Sequence, residues 1–269
     1  MGRRRLDAEL VSRGMARSRE HARELITSGA VVLNGLVAHK PATQVDATAS
    51  LAVRDVALAT QSAFVSRGAV KLAGALDHFN SGGLDVSGRR CLDAGASTGG
   101  FTEVLLQRGA HSVVAVDVGY GQLAWKLQQD PRVRVMDRTN VRYLQLSDLE
   151  EPVDVVVADL SFISLELVLP ALVGVSTPSA DLLVMVKPQF EVGRERLGAG
   201  GVVRDSAMRV EAVCAVGARA KGLGLGVRGV VASSLPGPAG NVEYFLWLNA
   251  TAPPLVVQDV ERAVNEGPK

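Results

Sequence analysis

Short runs of apolar residues recur through most of the chain and alternate with segments of helical periodicity. The runs are rich in valine and leucine, and they fall at residue 92 and at residues 112–116, 133–136, 153–158, 182–186, 227–232 and 243–248. Runs without polar alternation are typical of strands that are buried on both faces of a mostly parallel sheet. The pattern therefore predicts an α/β domain with a seven-stranded sheet.

The first 60 residues show a different pattern. Leu6 and Leu10 have helical spacing, and Ser18 is a suitable N-cap for a second helix. An Asn-Gly turn at residues 34–35 then separates two short apolar strands, which is a strong local signal for a hairpin. These features predict a small α+β domain over residues 1–60, a linker over residues 61–66 and the larger domain over residues 67–269.

Charge is unevenly distributed along the chain. The net charge of all 269 residues is only +1, yet basic residues outnumber acidic ones by eight to four before residue 41. Attraction to nucleic acid therefore requires a local basic patch, and the N-terminal domain is the place for it. The alternative is that these basic residues form only a solvated face.

A glycine-rich turn follows the first strand of the larger domain, in the string D-A-G-A-S-T-G-G-F at residues 93–101. Glycine permits positive φ angles and the close approach of a ligand, and the helix that follows offers free N–H groups. Asp117 ends the next strand, where an acid can hold the hydroxyls of a nucleoside ribose. The turn lacks the G-x-G-x-x-G pattern of dinucleotide-binding proteins. A tight turn without a ligand is the alternative interpretation.

Charged side chains end several of the predicted strands, at the sheet edge where open α/β sheets bind ligands. Asp159 and Lys187 each follow an apolar run directly, so each is costly there unless it is paired or used. By themselves these two residues are also compatible with a structural ion pair. The full set of such residues is Asp93, Asp117, Asp137, Asp159, Lys187 and, beside the last strand, Glu243.

Cysteine content and hydropathy bear on the cellular compartment. Cys91 and Cys214 fall in apolar patterns and are expected to be buried thiols of a reducing compartment, and no metal site is predicted. Asp7 and Glu9 interrupt the apolar run that an export signal would need after the N-terminal arginines. No stretch reaches the roughly 18 uncharged apolar residues required to span a bilayer. These features predict a cytoplasmic protein without a membrane partner.

Several strings resemble known families. R-L-D-x-x-L, A-x-S-R-x-x-A-x-x-L-I and G-x-V-x-x-N-G resemble the S4 RNA-binding domain, and D-x-G-x-x-x-G-G resembles motif I of S-adenosylmethionine-dependent methyltransferases. Lys71, Asp159, Lys187 and Glu243 occur in the order and contexts of the K-D-K-E tetrad of FtsJ-type ribose 2′-O-methyltransferases. With S-R-G-A-x-K-L, V-K-P-Q-F-E and P-G-P-x-G-N-x-E-Y-F-L-W-L, these strings make the chain similar to the TlyA family, which joins the two domains.

The resemblance implies a Rossmann-like S-adenosylmethionine-dependent methyltransferase with a seven-stranded, mostly parallel sheet, preceded by a small α+β S4 RNA-binding domain. It implies 2′-O-methylation of ribose in ribosomal RNA, at cytidines of 16S and 23S rRNA. The implied cofactor is S-adenosyl-L-methionine, and the implied partners are ribosomal subunits or ribosomes. Members of the family also carry the name haemolysin. The methylated nucleotide, the assembly state of the RNA and the oligomeric state are left open.

Site residues also follow from the resemblance. Lys71, Asp159, Lys187 and Glu243 are expected to be catalytic. Lys187 would hold the 2′-oxygen and either stabilise the alkoxide or accept the proton, while Lys71 would steer the target phosphate or ribose. Residues expected to contact the cofactor are Asp93, Gly95, Ser97, Thr98, Gly99, Gly100, Phe101, Asp117, Asp137 and Asp159. Residues expected to contact RNA are Arg3, Arg4, Arg5, Arg17, Arg19, Arg23, Lys40, Arg67, Phe162 and Phe190, the two phenylalanines by stacking on a splayed base or, alternatively, packing in the core.

Three other functions compete with this interpretation. An amino-directed methyltransferase would carry an N/D-P-P-Y/F motif after the fourth strand, and residues 159–162 (D-L-S-F) lack its prolines. A secreted, membrane-lysing protein would need an export signal and a spanning segment or basic amphipathic helix, which the pattern does not indicate. A non-catalytic RNA-binding module would not need the intact tetrad. The linker departs from the family pattern at Ser62-Ala63-Phe64, where relatives carry Arg-Ala-Trp, so its role in cofactor binding is open.

Overall fold

The chain divides into two units, residues 1–63 and residues 64–269. The structure, a computed structural model, describes residues 4–27, 30–34, 36–46, 49–53, 64–237 and 239–268. Residues 61–63 of the predicted linker, which include Ser62 and Ala63, lie outside the described residues. The domain boundaries predicted from the sequence therefore stay predictions.

The described part of the first unit has two helices and short strands around one apolar core. Its helices are α1 (Leu6–Ser12) and α2 (Arg19–Thr27). Strands β2 (Val31–Leu33), β3 (Leu36–Val37) and β5 (Leu51–Val53) form an antiparallel sheet in the order β3-β2-β5, while β1 (Arg4–Arg5) pairs with β4 (Gln44–Val45). The Ser18 hydroxyl accepts a hydrogen bond from the His21 N–H at 3.1 Å, so Ser18 caps α2 as predicted.

The second unit is built on seven strands. They are β6 (Arg90–Ala94), β7 (Ser112–Val116), β8 (Val133–Met136), β9 (Val153–Ala158), β10 (Ser176–Val186), β11 (Gly226–Ala232) and β12 (Tyr244–Asn249). Their order in the sheet is β11-β12-β10-β9-β6-β7-β8, and β12 runs antiparallel to both of its neighbours while the other pairings are parallel. This confirms the predicted seven-stranded, mostly parallel sheet.

Helices cover both faces of this sheet. One layer contains α3 (Arg67–Asn80), α4 (Gly100–Gln107) and the short α5 (Trp125–Gln128), whereas the short α6 (Leu146–Leu149) buries Leu149 in the core on the other face. The opposite layer contains α7 (Leu165–Gly174), α9 (Ser206–Gly222) and α10 (Val257–Glu266), with the short α8 (Pro188–Glu191) after β10. From Val155 to Ala158, successive residues of β9 alternate between the two cores, which explains why this part of the strand is apolar without interruption.

In the described part of the chain, no helix combines the length and the hydropathy needed to cross a bilayer.

Candidate active site

The carboxyl ends of β6, β7 and β9 meet at one edge of the sheet. The chain continues from β6 to β7 on one side, while β9 pairs with β6 on the other, and open α/β sheets bind ligands at such a reversal of strand order. A cavity of about 520 Å³ lies there, and its lining includes Gly95, Ser97, Asp117, Asp159 and Phe162. A larger cavity of about 770 Å³ lies beside β11, and its described lining contains none of the predicted site residues.

The glycine turn after β6 is closely packed. Gly95 has a φ of +92°, and a Cβ atom there would stand 2.5 Å from the carbonyl oxygen of Asp159. A Cβ atom on Gly100, at the start of α4, would stand 2.8 Å from the backbone nitrogen of Ala69. Because neither position has room for a side chain, the path of the turn requires glycine at both.

Asp117 is held by backbone N–H groups from two loops. Its Oδ2 accepts a hydrogen bond from Ser97 N–H at 2.8 Å, and its Oδ1 accepts one from Gly119 N–H at 2.7 Å. Each carboxylate oxygen has a second lone pair available. Asp117 therefore has a fixed orientation at the cavity and retains the capacity to accept hydrogen bonds from ribose hydroxyls.

Asp93, on β6, is fully buried. The Thr102 hydroxyl donates to its Oδ2 at 2.6 Å, whereas its Oδ1 has no hydrogen-bond partner among the described residues. Burial raises the pKa of Asp93 to about 7, because the low-dielectric interior disfavours the ionised carboxylate. At neutral pH this carboxyl is therefore partly protonated.

Several residues of the predicted cofactor set do not reach the cavity. The Phe101 side chain faces the core, where its ring stacks on Phe245 with centroids 6.1 Å apart, because its position in the first turn of α4 directs it inward. Asp137 instead accepts a hydrogen bond from Gly121 N–H at 2.8 Å. Of the described residues, the cavity lining includes Gly95, Ser97, Asp117 and Asp159 from that set, and it leaves out Asp93, Thr98, Gly99, Gly100, Phe101 and Asp137.

The four predicted catalytic residues form two ion pairs. Lys71 Nζ lies 2.5 Å from Glu243 Oε2, and both side chains are buried. Lys187 Nζ lies 2.5 Å from Asp159 Oδ1, and the Asp159 side chain is 21% exposed. The pair that includes Asp159 is thus the one that opens onto the cavity.

Sheet register explains why these pairs share one edge. Val186 on β10 is paired with Tyr244 on β12, so the adjoining residues Lys187 and Glu243 lie next to each other at the strand ends. Asp159 directly follows β9, the parallel neighbour of β10. The structure therefore brings together all four residues of the predicted tetrad.

Sequence reasoning did not single out Ser161, whose hydroxyl accepts a hydrogen bond from Lys187 Nζ at 3.0 Å. Ser161 also lines the cavity, so it joins the catalytic edge to the ligand space. Several other lining residues were also not predicted from the sequence. Most of them lie in the loops that follow the predicted strands, so their position after a strand end could have identified them. They are Val118, Gln122, Asn140, Val141, Arg142, Leu160, Ile163 and Val168.

Phe162 has an unusual conformation beside this edge. Its φ is +66°, a left-handed value that is rare for a bulky residue, and its side chain is 90% exposed. Its ring centroid lies 5.3 Å from that of Phe190. The exposure excludes the core-packing alternative for Phe162, whereas base stacking stays a prediction.

Comparison with known proteins agrees with this geometry. Residues 64–250 match the FtsJ-like methyltransferase family, and residues 4–50 match the S4 domain family. The chain is 58% identical over 270 residues to the 16S/23S rRNA (cytidine-2'-O)-methyltransferase TlyA of Mycobacterium tuberculosis, with 98% of each chain covered. The chain belongs to the TlyA family. The family, the fold class and the methyltransferase assignment predicted from the sequence are thereby confirmed.

Two further comparisons extend the TlyA match. A Bacillus subtilis protein named as an rRNA methyltransferase is 42% identical over 246 residues, covering 91% of this chain and 85% of that one. A solved structure from Streptococcus thermophilus, which bears a hemolysin name, is 39% identical with a TM-score of 0.77, covering 99% of this chain and 96% of that one. The TlyA fold therefore extends over nearly the whole chain.

The RNA-contacting residues predicted for this TlyA-family chain are placed as follows. Arg5, Arg19 and Arg23 all bond to the buried carboxylate of Asp7. Arg4 Nη1 donates to the Ser12 hydroxyl at 3.2 Å, and the backbone N–H of Arg17 donates to His21 Nδ1 at 3.2 Å. Arg67 Nη2 donates to the Pro236 carbonyl at 3.2 Å. Lys40 is exposed, and Arg3 lies outside the described residues.

Proposed function

We propose that this TlyA-family chain transfers a methyl group from S-adenosylmethionine to a ribose 2′-hydroxyl of ribosomal RNA. The main support is one observation: two lysine–carboxylate pairs share a sheet edge with the cavity that Gly95 and Asp117 line. The Mycobacterium tuberculosis relative is named as acting on cytidines of 16S and 23S rRNA. We therefore infer cytidines of these RNAs, in ribosomal subunits or ribosomes, as the substrate.

The residues around the cavity fit S-adenosylmethionine. Gly95 and Ser97 of the glycine turn line the cavity, and Asp117 beside them can accept hydrogen bonds from ribose hydroxyls. Val118, Leu160 and Ile163 add apolar lining suited to a flat base. When bound, this cofactor supplies an electrophilic methyl group on a sulfonium.

Lys187 and its partners would act on the ribose oxygen. Asp159 forms an ion pair with the Lys187 ammonium and the Ser161 hydroxyl accepts a hydrogen bond from it, so the ammonium keeps a donor for the 2′-oxygen. Positioning of the reacting oxygen is a large part of such a displacement, and Lys187 either stabilises the developing alkoxide as an ammonium or, as a neutral amine, accepts the proton of the 2′-hydroxyl. Lys71, held by Glu243, steers the phosphate or ribose of the target nucleotide.

The remaining predicted RNA contacts supply affinity and presentation. The exposed ring of Phe162 stacks on the target base once that base leaves its helix. The S4 domain docks on structured rRNA through phosphate contacts, which fix register without reading sequence.

A 2′-deoxy substitution at the target nucleotide tests the proposal. The target is first mapped as the ribose methylation that depends on the wild-type chain. Its 2′-deoxy counterpart should incorporate no methyl group yet bind nearly as well, because phosphates carry most of the affinity. A 2′-deoxy substitution at the neighbouring nucleotide is the control and should leave methylation intact. Continued methylation of the deoxy target would exclude 2′-O-transfer.

A further inference from the structure

Three arginines of the S4 domain converge on one buried acid. Asp7, on α1, has no exposed surface, and Arg5 binds it with two hydrogen bonds of 3.1 and 2.9 Å. Arg19 Nη2 lies 3.3 Å and Arg23 Nε 3.3 Å from the same carboxylate oxygen, and both arginines come from α2. The hydrogen bonds from Arg5 and the other two guanidinium groups hold the pKa of Asp7 well below its usual range. The carboxylate is therefore ionised at any pH where the domain works.

The outer sides of these arginines face solvent. Their side chains are 40%, 56% and 56% exposed for Arg5, Arg19 and Arg23. A guanidinium carries five N–H donors, so each arginine retains donors beyond those that Asp7 accepts. One carboxylate compensates one of three positive charges, which leaves a concentrated excess of positive charge on a small surface.

A neighbouring acid shows that this arrangement is not general in the domain. Glu9, also on α1, accepts a hydrogen bond from Arg13 at 2.8 Å, and the Arg13 guanidinium also donates to the backbone carbonyls of Ala49 and Asp46. That arginine is directed into the fold by its partners. Each arginine around Asp7 instead contacts this carboxylate on its inner side and faces solvent on its outer side.

We propose that Asp7 is a positioning residue that assembles Arg5, Arg19 and Arg23 into one binding site for RNA backbone phosphates. Without a counter-charge, three guanidinium groups at this spacing repel one another and spread apart. With Asp7 in place, their free donors are directed outward as a set, which suits the bidentate recognition of phosphate oxygens. The inference rests on the proposed function, in which this domain docks on rRNA.

The substitution Asp7→Asn in the full chain should change RNA affinity in opposite directions, depending on whether the arginines act as separate charges or as a set that Asp7 assembles. If the arginines act only as separate surface charges, removing an acid raises RNA affinity and steepens its salt dependence. If Asp7 assembles them, binding of total rRNA weakens about tenfold and its salt dependence flattens, although the net charge has risen. Glu20→Gln is the matched control, because Glu20 is exposed in the first turn of α2 and makes the same change of charge. The control should bind RNA at least as tightly as wild type.

A second variant guards against loss of folding in Asp7→Asn. Arg19→Lys/Arg23→Lys keeps Asp7 and every charge but removes the planar forks, and these exposed positions tolerate the change without unfolding. RNA affinity should fall several-fold while cofactor affinity, measured by calorimetry, is unchanged. Wild-type RNA affinity in this double variant, or affinity in Asp7→Asn that equals or exceeds that of Glu20→Gln, would overturn the role of Asp7. Either result would overturn only the role of Asp7. The proposed function would remain supported as long as the wild-type chain methylates the ribose 2′-hydroxyl.

Discussion

The two domains of this chain combine acids and bases in different ratios. In the S4 domain one buried carboxylate serves three guanidinium groups that stay about half exposed, whereas in the methyltransferase domain Lys71 and Lys187 each have their own carboxylate and are nearly buried. Excess exposed charge attracts a polyanion without selecting among its atoms. Compensated charge in a buried site acts mainly on the atom delivered to it. We therefore expect affinity and chemistry to come from different arrangements of acidic and basic side chains.

Lys187→Ala should show the largest effect, and we expect that effect on the rate of methyl transfer. Methyl transfer is expected to slow about 100- to 10,000-fold, the usual contribution of a positioned proton-transfer group. Lys187→Arg should be inactive as well, because a guanidinium cannot give up its proton and presents a planar fork. Single-turnover transfer to rRNA measures both, with RNA and cofactor affinities close to wild type. An active Lys187→Arg enzyme would remove the proton-acceptor role and leave Lys187 as an electrostatic clamp.

The Lys71–Glu243 pair should matter for stability in a way that exposed pairs do not. Glu243→Gln leaves an almost fully buried ammonium without its counter-charge, and the unfolding free energy should fall by about 3–5 kcal/mol. Lys71→Met combined with Glu243→Gln should restore much of that loss, because the uncompensated charge is then absent. Urea denaturation measures these differences.

An exposed pair provides the control for this stability measurement. Arg108 and Asp77 lie 2.6 Å apart with side chains 39% and 65% exposed, so Asp77→Asn should cost less than about 1 kcal/mol. Similar losses from Glu243→Gln and Asp77→Asn would contradict the distinction between compensated buried pairs and surface pairs.

The positions of Asp159 and Lys187 at one sheet edge could be predicted from the sequence because the ends of strands are local information, whereas Lys71 joined the predicted catalytic set only through the family resemblance. Asp159 and Lys187 directly follow apolar runs, so the strand pattern placed both at one edge, and register then brought Glu243 beside Lys187. Asp7 could not be predicted in the same way. Two of its arginine partners lie 12 and 16 residues further along and on another helix, so only the packing of α1 against α2 brings them together. In the sequence, Asp7 is the acid of the R-L-D-x-x-L string and interrupts an apolar run, and neither feature indicates its partners on α2.

Local backbone conformation explains why the side-chain directions of Phe162 and Phe101 could not be predicted from the sequence. The left-handed backbone of Phe162 goes against the preference of a bulky residue, so no propensity argument predicts that its ring projects outward. Phe101 was expected at the cofactor because it follows the glycine turn, yet its place on α4 turns its ring into the core. The identity of a strand-end residue is thus easier to predict than the direction of a side chain one turn later.

Asp117→Ala should have an intermediate effect on cofactor affinity. It removes a charged hydrogen-bond acceptor for ribose hydroxyls, so S-adenosylmethionine binding should weaken by about 1.5 to 3 kcal/mol in calorimetry. Asp137→Ala is the matched control, because Asp137 also follows a strand but is absent from the described cavity lining, and its effect should be smaller. RNA affinity should be largely spared in both. Wild-type cofactor affinity in a folded Asp117→Ala protein would mean that the nucleoside pocket is misplaced.

The smallest effect per residue is expected from the arginines of the S4 domain, and it concerns the salt dependence of RNA binding. Replacing Arg17, Arg19 and Arg23 by alanine should weaken RNA binding and lower the slope of log K against log salt by roughly 0.9 for each phosphate no longer neutralised. Methyl transfer at saturating RNA and cofactor affinity should stay near wild type, since these residues serve affinity alone. Lys187→Ala should give the opposite result, a lost rate with an unchanged slope, because a lysine paired in a buried site displaces few counterions. An unaltered slope in the triple variant would assign the arginines to a solvated face, and a changed slope in Lys187→Ala would show that the catalytic pair also contributes to docking.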